Sequence, residues 1–447
     1  MTKATETEKE TIPSDQDFKL YPWRFAVVVG IFFVIFVNTI QFSAYGSITP
    51  TVAARYNTES WTINSLNVWN LVAFFPAVYP ATWIQDTYGI RPAVIAAAAI
   101  NSFGALLRWL SYLASTDQAK INMLCAGSAI IGAASPLSAD AVTKAAAHWF
   151  SGEGRLTANA IMGLASPLGG AAGFLLAPMI VNGDPANVDT FNLVLFGMSL
   201  GLGLLSLLVF NSPPSPPSAS AKQGTIGFIE GLKQIRKNVS FWILCVVFTG
   251  VYCSFQVMST YLSNYVIPYG FSEDDAGNLG IAMVASGVVF AVIAGIVLDR
   301  IKKHQLALRV FSLVMFLGTV GFYLGTTGQT AWLTYLGCAF IGIGGLPVLS
   351  IAFELGAECT FPVAEATSTG LLMTVSQVFS IIMLLLSNAL KDEVTGKMSA
   401  GIASVIALSV VAVGGSLCYK SENRRMALEQ NKGVEEVELG SIVEQKS

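Results

Sequence analysis

Two acids stand at matched places in this chain. Trp83-Ile84-Gln85-Asp86-Thr87-Tyr88-Gly89-Ile90-Arg91 ends one long apolar stretch, and Gly295-Ile296-Val297-Leu298-Asp299-Arg300-Ile301-Lys302-Lys303 ends another. An acid at a helix end followed by bases suits charge pairs that tie helix termini together and can be broken again. Asp86, Arg91, Asp299 and Arg300 are therefore read as gating residues. A third charged set, Asp140 and Lys144, is four residues apart, which places both on one helical face with the acid N-terminal. Ionisable groups in apolar segments are costly, so the pair is either a proton or cation coupling site or an internal brace. Arg108, near the outer end of its stretch, is expected to reach the headgroups. His148 beside Trp149 falls at a helix end, where exposure is expected. No nucleophile–base pair, metal cluster or phosphate loop is recognisable, and Gly342-Ile-Gly-Gly345 follows no soluble strand. The 6 cysteines show no C-x-x-C spacing and read as small apolar fillers. The sequence thus argues against an enzyme, and no metal or cofactor is expected.

Uncharged polar and aromatic residues inside the apolar stretches are better placed to touch a solute. Gln41, Phe42 and Tyr45 share a face of the first stretch. Asn64, Asn67 and Asn70 mark the second, Tyr252, Gln256 and Asn264 the seventh, and Gln377 the eleventh. Such side chains serve equally to hydrogen-bond one membrane helix to another.

The elements that must position them are membrane helices. Charged residues make up only 12% of the chain and its mean hydropathy is +0.61, outside the range of water-soluble globules. Apolar runs of about twenty residues, long enough to cross a bilayer, fall near 25–48, 63–84, 91–113, 121–147, 157–180, 191–210, 239–267, 276–299, 306–326, 330–352, 365–389 and 399–418. Arg91, Arg155, Lys222, Lys233, Arg236, Lys237, Lys303, Arg309 and both terminal tails then lie on one side, against Arg55, Lys120, Lys391 and Lys397 on the other. The positive-inside rule makes the first side cytoplasmic. The polar first twenty residues hold no apolar core, so no cleaved signal is expected.

Asp86 and Asp299 recur six spans apart, which reads as a duplicated half. The expected fold is an all-α membrane protein of the major facilitator type. It has 12 transmembrane helices in two six-helix bundles related by a pseudo-two-fold axis, with the solute site near midplane. The domains are a cytoplasmic tail (1–20), a first bundle (21–210), a Pro/Ser-rich cytoplasmic linker (211–238), a second bundle (239–420) and a charged cytoplasmic tail (421–447). Within the linker Ile226, Ile229, Leu232 and Ile235 recur at helical spacing opposite Lys233, Arg236 and Lys237, as in a helix lying on the leaflet.

One stretch points to a family. Phe353-Glu-Leu-Gly-Ala-Glu-Cys-Thr-Phe-Pro-Val-Ala-Glu-Ala-Thr-Ser-Thr-Gly-Leu-Leu372 resembles the tenth-to-eleventh-span signature of the feline leukaemia virus subgroup C receptor-related family, solute carrier family 49. Asn38-Thr-Ile-Gln-Phe-Ser-Ala-Tyr-Gly46, the run from Phe75 to Arg91 and Gly173-Phe-Leu-Leu-Ala-Pro178 agree, so the resemblance covers about 21 to 419. Its members include choline and ethanolamine carriers, proteins described as haem carriers and a branch linked to pyridoxine. In members resembling choline carriers, a first-span tryptophan and a seventh-span tyrosine cage the ammonium, with glutamines on the fourth and eleventh spans nearby. The resemblance places Phe42 at the tryptophan position, Gln256 at the tyrosine position and Ser135 at the fourth-span glutamine. Only the eleventh-span glutamine is kept, as Gln377. Phenylalanine is a poorer cation–π partner than tryptophan, and glutamine is none; Tyr45 and Tyr252, about a turn away, are the candidates to rebuild a cage.

These readings define a multi-pass carrier of a small organic solute, with a choline- or ethanolamine-like amine as first candidate. The alternatives are a haem or pyridoxine-like cofactor carrier and, from another class, a transport-inactive receptor or sensor. The expected partners are the solute and the lipid bilayer, with no nucleic acid, and the expected state is a monomer. The plasma membrane is the expected location, with an endolysosomal or vacuolar membrane as the other.

Overall fold

The structure is a computed structural model that describes residues 21–150, 158–159, 161–211, 228–301, 303–360, 363, 365–392 and 396–420. The tails at 1–20 and 421–447 and the Pro/Ser stretch of the linker lie outside the described residues. Every long element is α-helical. In the first half these are Arg24–Ser43 (α1), Thr49–Arg55 (α2), Ser60–Thr87 (α3), Ile90–Leu110 (α4), Asp117–Ala139 (α5), Ala141–Trp149 (α6), Ala165–Val181 (α7) and Asn187–Gly203 (α8). A short helix, Phe228–Ile235 (α9), leads into the second half. There Val239–Thr260 (α10), Leu262–Val266 (α11), Glu273–Ile301 (α12), His304–Thr327 (α13), Ala331–Thr360 (α14), Glu365–Ala389 (α15) and Ser399–Cys418 (α16) follow.

Apolar sequence makes these helices, since lipid leaves the backbone no partner but itself. Local signals set their starts. Thr116 accepts from the Ala119 N–H at 3.2 Å to cap α5, and Asn238 accepts from Phe241 at 3.1 Å to cap α10. Among the described residues eleven helices are both long and apolar enough to cross a membrane. Sequence reading expected twelve, and the difference is α3. This helix has 28 residues, ample length, but Asn64, Asn67, Asn70 and Gln85 together with Pro76 and Pro80 dilute its apolar character.

The two halves pack their helices in the same way. α1 packs on α7 as α10 packs on α15; α3 packs on α5 as α12 packs on α14; α4 packs on α8 as α13 packs on α16. Two glycines show how close these pairs lie. A Cβ at Gly132 on α5 would run into the Asn70 carbonyl of α3, and one at Gly342 on α14 would run into the Met283 carbonyl of α12. Glycine thus permits backbone-to-backbone contact at equivalent places in each half.

The halves meet at the end that the charge distribution assigns to the outside. Five hydrogen bonds cross there. Asn64 Nδ2 donates to Asn264 Oδ1 (3.0 Å), Asn67 Nδ2 to Thr260 Oγ1 (3.3 Å) and Ser263 N to the Gly46 carbonyl (3.2 Å). Thr51 donates its N–H (3.1 Å) and its hydroxyl (2.5 Å) to Glu273 Oε1. Beside them the fully buried Phe174 ring of α7 lies on Gly280 of α12, and Gly277 faces Pro178. At the other end Arg91 and Arg300 are exposed, and neither forms an ion pair among the described residues. Among the described residues the halves are therefore tied together at the outer end.

The linker helix α9 departs from the leaflet-bound expectation. Ile235 is buried in the core of the second half, and Gly231 abuts Val363. Gly231 and Ile235 thus face protein, while Lys233, Gln234, Arg236 and Lys237 stay exposed.

Candidate functional site

The site forms where α1, α3, α4 and α5 converge below the closed outer end. Gln41, Phe42, Tyr45, Asn70, Arg108 and Ser128, joined by Thr260 of α10, line a cavity of about 10 Å³. That is room for about one water molecule. Arg108 dominates it. The residue is 3% exposed, so it does not reach the headgroups as the sequence suggested. Instead Gly127 of α5, where a Cβ would lie 2.7 Å from Arg108 Cγ, leaves a channel that turns the side chain inward. Arg108 Nη1 donates to the Gln41 carbonyl (3.0 Å) and to Gln41 Oε1 (3.3 Å). Its guanidinium carbon sits 4.3 Å from the centroid of the Tyr45 ring. Arg108 Nε and the Ser128 hydroxyl are both buried without a partner.

Gln41 and Tyr45 beside Arg108 are engaged with other helices. Gln41 Nε2 donates to the Leu195 carbonyl (3.2 Å) and to Ser199 Oγ (2.8 Å), so its amide braces Arg108 against α8. The Tyr45 hydroxyl donates to Asn192 Oδ1 at 2.6 Å. Tyr45 was expected to help rebuild a cage for an ammonium ion, but its π face is occupied by the protein's own guanidinium. Ser135 is likewise committed: it donates to Asn38 Oδ1 (2.8 Å), and Asn38 Nδ2 donates in turn to Asn101 Oδ1 (3.1 Å) and the Ile131 carbonyl (3.0 Å). These bonds tie α1 to α4 and α5, and Ser135 does not line the cavity.

The second half contributes the other candidates. Gln256 lies four residues before Thr260, hence about one turn below the cavity on the same face of α10. Gln256 and Gln377 are buried, and Gln256 Nε2 and Gln377 Oε1 have no partner. Tyr252 is half-buried, stacks on Phe248 with centroids 5.7 Å apart, and lies near Gln377. Phe42 packs against the core of the second half. A buried amide donor and a buried amide acceptor left open are costly, and together they can bind a polar group.

The gating and coupling residues sit elsewhere. Asp86 and Asp299 fall in the last turns of α3 and α12. The Arg91 guanidinium lies over the Phe210 ring at 5.5 Å, and its backbone N–H donates to Asn211 Oδ1 at 2.8 Å. Asp140 joins α5 to α6 with helical backbone angles, so the four-residue spacing to Lys144 is kept, and both residues are engaged with partners. On the outer side Arg55 pairs with Asp189 (2.6 Å), joining α2 to α8, and this carboxylate raises the Arg55 pKa so that the guanidinium stays charged. Among the described residues no group of histidine, cysteine and carboxylate side chains is arranged to hold a metal.

Comparison with known proteins gives this architecture its class. The family model of the Major Facilitator Superfamily matches residues 31–384, and the chain belongs to that superfamily of multi-pass, non-catalytic membrane transporters. Within it, the chain is related to solute carrier family 49. It is 30% identical over 336 residues to solute carrier family 49 member A3 of Danio rerio, covering 73% of this chain and 70% of the relative. It is 26% identical over 389 residues to the choline/ethanolamine transporter FLVCR1 of Felis catus, covering 84% and 69%. Among solved structures, a bacterial homologue of the human lysosomal transporter Spinster, inward-facing and unoccupied, superposes with a TM-score of 0.68 at 13% identity, covering 90% of this chain and 97% of that one. A D-xylose–proton symporter gives 0.66 at 15% identity, covering 90% and 99%. At these identities the structures show the shared fold alone.

Proposed function

We propose that this chain is a twelve-span carrier whose two six-helix bundles, related by a pseudo-two-fold axis, rock about a solute site near midplane. The matched helix pairings of the two halves support α3 as the twelfth span. The solute is a small organic amine of the choline or ethanolamine class, handled at the plasma membrane. One observation carries the reading: Gln256 Nε2 and Gln377 Oε1 are buried and unpartnered on two helices that pack together, while Phe42 of the first half packs on the core of the second. The names of the family 49 relatives supply the substrate class. Closure on the outer side corresponds to one end state of the cycle. Asp86, Arg91, Asp299 and Arg300 hold the opposite state by pairing with neighbouring helix termini at the inner ends, and Asp140 with Lys144 is the candidate coupling pair. Uptake of labelled choline, ethanolamine, pyridoxine and haem into cells expressing the chain tests the reading. Uptake of either amine alone supports it, and uptake restricted to pyridoxine or haem replaces it with a cofactor carrier.

A further inference from the structure

The cavity around Arg108 is charged in the wrong sense for a simple cation. It holds a guanidinium 3% exposed, and among the described residues no carboxylate pairs with it. Among the described residues only Nη1 has acceptors, both supplied by Gln41, while Nε has none. The Ser128 hydroxyl, on a different helix, is also buried and unpartnered against the same cavity. Two helices thus bring donors to one cavity, and the described residues supply no anion to meet them. A buried arginine in this condition is costly unless a further acceptor arrives. A planar guanidinium with a free edge suits a two-oxygen anion, carboxylate or phosphate. Tyr45, held by Asn192 and by its contact with the guanidinium, keeps that edge oriented.

We propose that Arg108, with Ser128, binds an anionic oxygen group of the solute, so that the preferred cargo is zwitterionic: an amine or quaternary ammonium joined to a carboxylate or phosphate. This rests on the amine-carrier reading. It places the ammonium end toward Phe42, Tyr252 and the open amides of Gln256 and Gln377, one turn further in, and the anionic end against Arg108. A solute with only a positive charge meets a fixed like charge in the same cavity and is disfavoured.

The test compares choline with two relatives that differ at one end: glycine betaine, which ends in a carboxylate, and phosphocholine, which ends in a phosphate. Each is titrated against the purified full-length chain by thermal stabilisation and by labelled uptake in proteoliposomes. In the unaltered protein betaine or phosphocholine should act at a concentration at least tenfold below that of choline, and whichever acts identifies the anion. Arg108→Gln should abolish that preference, and Arg108→Lys, which keeps the charge but loses the planar fork, should retain part of it. If choline acts at the same or lower concentration than both zwitterions, the inference is overturned, whether or not the variants fold. The two readings fail separately. Choline uptake without any response to betaine or phosphocholine removes the anion site and leaves the carrier of amines. Stabilisation by a zwitterion that is lost in Arg108→Gln, with no amine carried, does the reverse.

Discussion

The contact between Thr51 and Glu273 links the halves through charge-assisted bonds, so its removal should open the outer side. Glu273 Oε1 accepts both the N–H and the hydroxyl of Thr51, at 3.1 and 2.5 Å. Hydrogen bonds to an ionised group contribute about 1.5–3 kcal/mol each when shielded. Glu273 is only half-buried, so screening reduces the pair to about 2 kcal/mol in all. Since about 1.4 kcal/mol is a factor of ten, Glu273→Ala should shift the ratio of outward-closed to outward-open molecules by about thirtyfold. Spin labels at the exposed positions Ala54 and Asp274, one in each half, would report the separation by pulsed dipolar spectroscopy, with Cys125 and Cys418 replaced by serine. The variant should populate a longer distance that is minor or absent in the parent. Glu273→Gln keeps an acceptor but loses the charge, and should fall between the two. If Glu273→Ala leaves the distance distribution of the parent unchanged, the bridge does not hold the outer side closed and the reasoning fails.

Other outcomes follow from the same geometry. Gln377→Ala and Gln256→Ala should each weaken a solute that bonds their open amides by about 1–3 kcal/mol, measured as the shift in Kd. Gln256→Tyr should tighten choline about fivefold by adding a π face worth about 1 kcal/mol; unchanged affinity in all three variants would remove these residues from the site. Asp299→Asn should alter the uptake rate with the order of preferred solutes unchanged, and a new preferred solute in competition assays would contradict a gating role. Gly132→Val and Gly342→Val should each lower the thermal midpoint in detergent sharply, because the added carbons collide with backbone rather than with a side chain that can turn away; a midpoint equal to that of the parent would contradict the close helix pairing.

The spans were legible because a twenty-residue apolar run has few alternatives in a membrane, and the proposed limits near 239–267, 365–389 and 399–418 match α10 with α11, α15 and α16 closely. α14 runs on to Thr360, beyond the expected 352, because helix continues past the apolar run through Glu354 and Glu358 into the inner surface. What the sequence withheld was partnership. Asn64 looked like a solute ligand, yet it donates to Asn264, two hundred positions away, and nothing local announces that bond. Gln41 looked free and is spent on α8 and Arg108. Arg108 was sent to the headgroups by its place near a helix end. The space it actually fills is made by Gly127, and a glycine on one helix carries no sign of which side chain on another it admits. Gln256 and Gln377 stood out as polar residues inside apolar spans and again through the resemblance, but their unpartnered atoms appear only once the helices are packed.

Phe174 has a mechanical meaning distinct from that of the hydrogen bonds around it. Those bonds are directional: each holds at one angle and must break when the halves tilt. A ring resting on the bare backbone of Gly280 has no angle to lose, since dispersion contact with a nearly flat surface survives rotation. The outer contact therefore combines a set of clasps with a bearing. The clasps set how long the carrier dwells closed, while the ring contact tolerates small tilts without breaking. A larger residue at position 280 would press on the Phe174 ring, push the halves apart and load the clasps beside it.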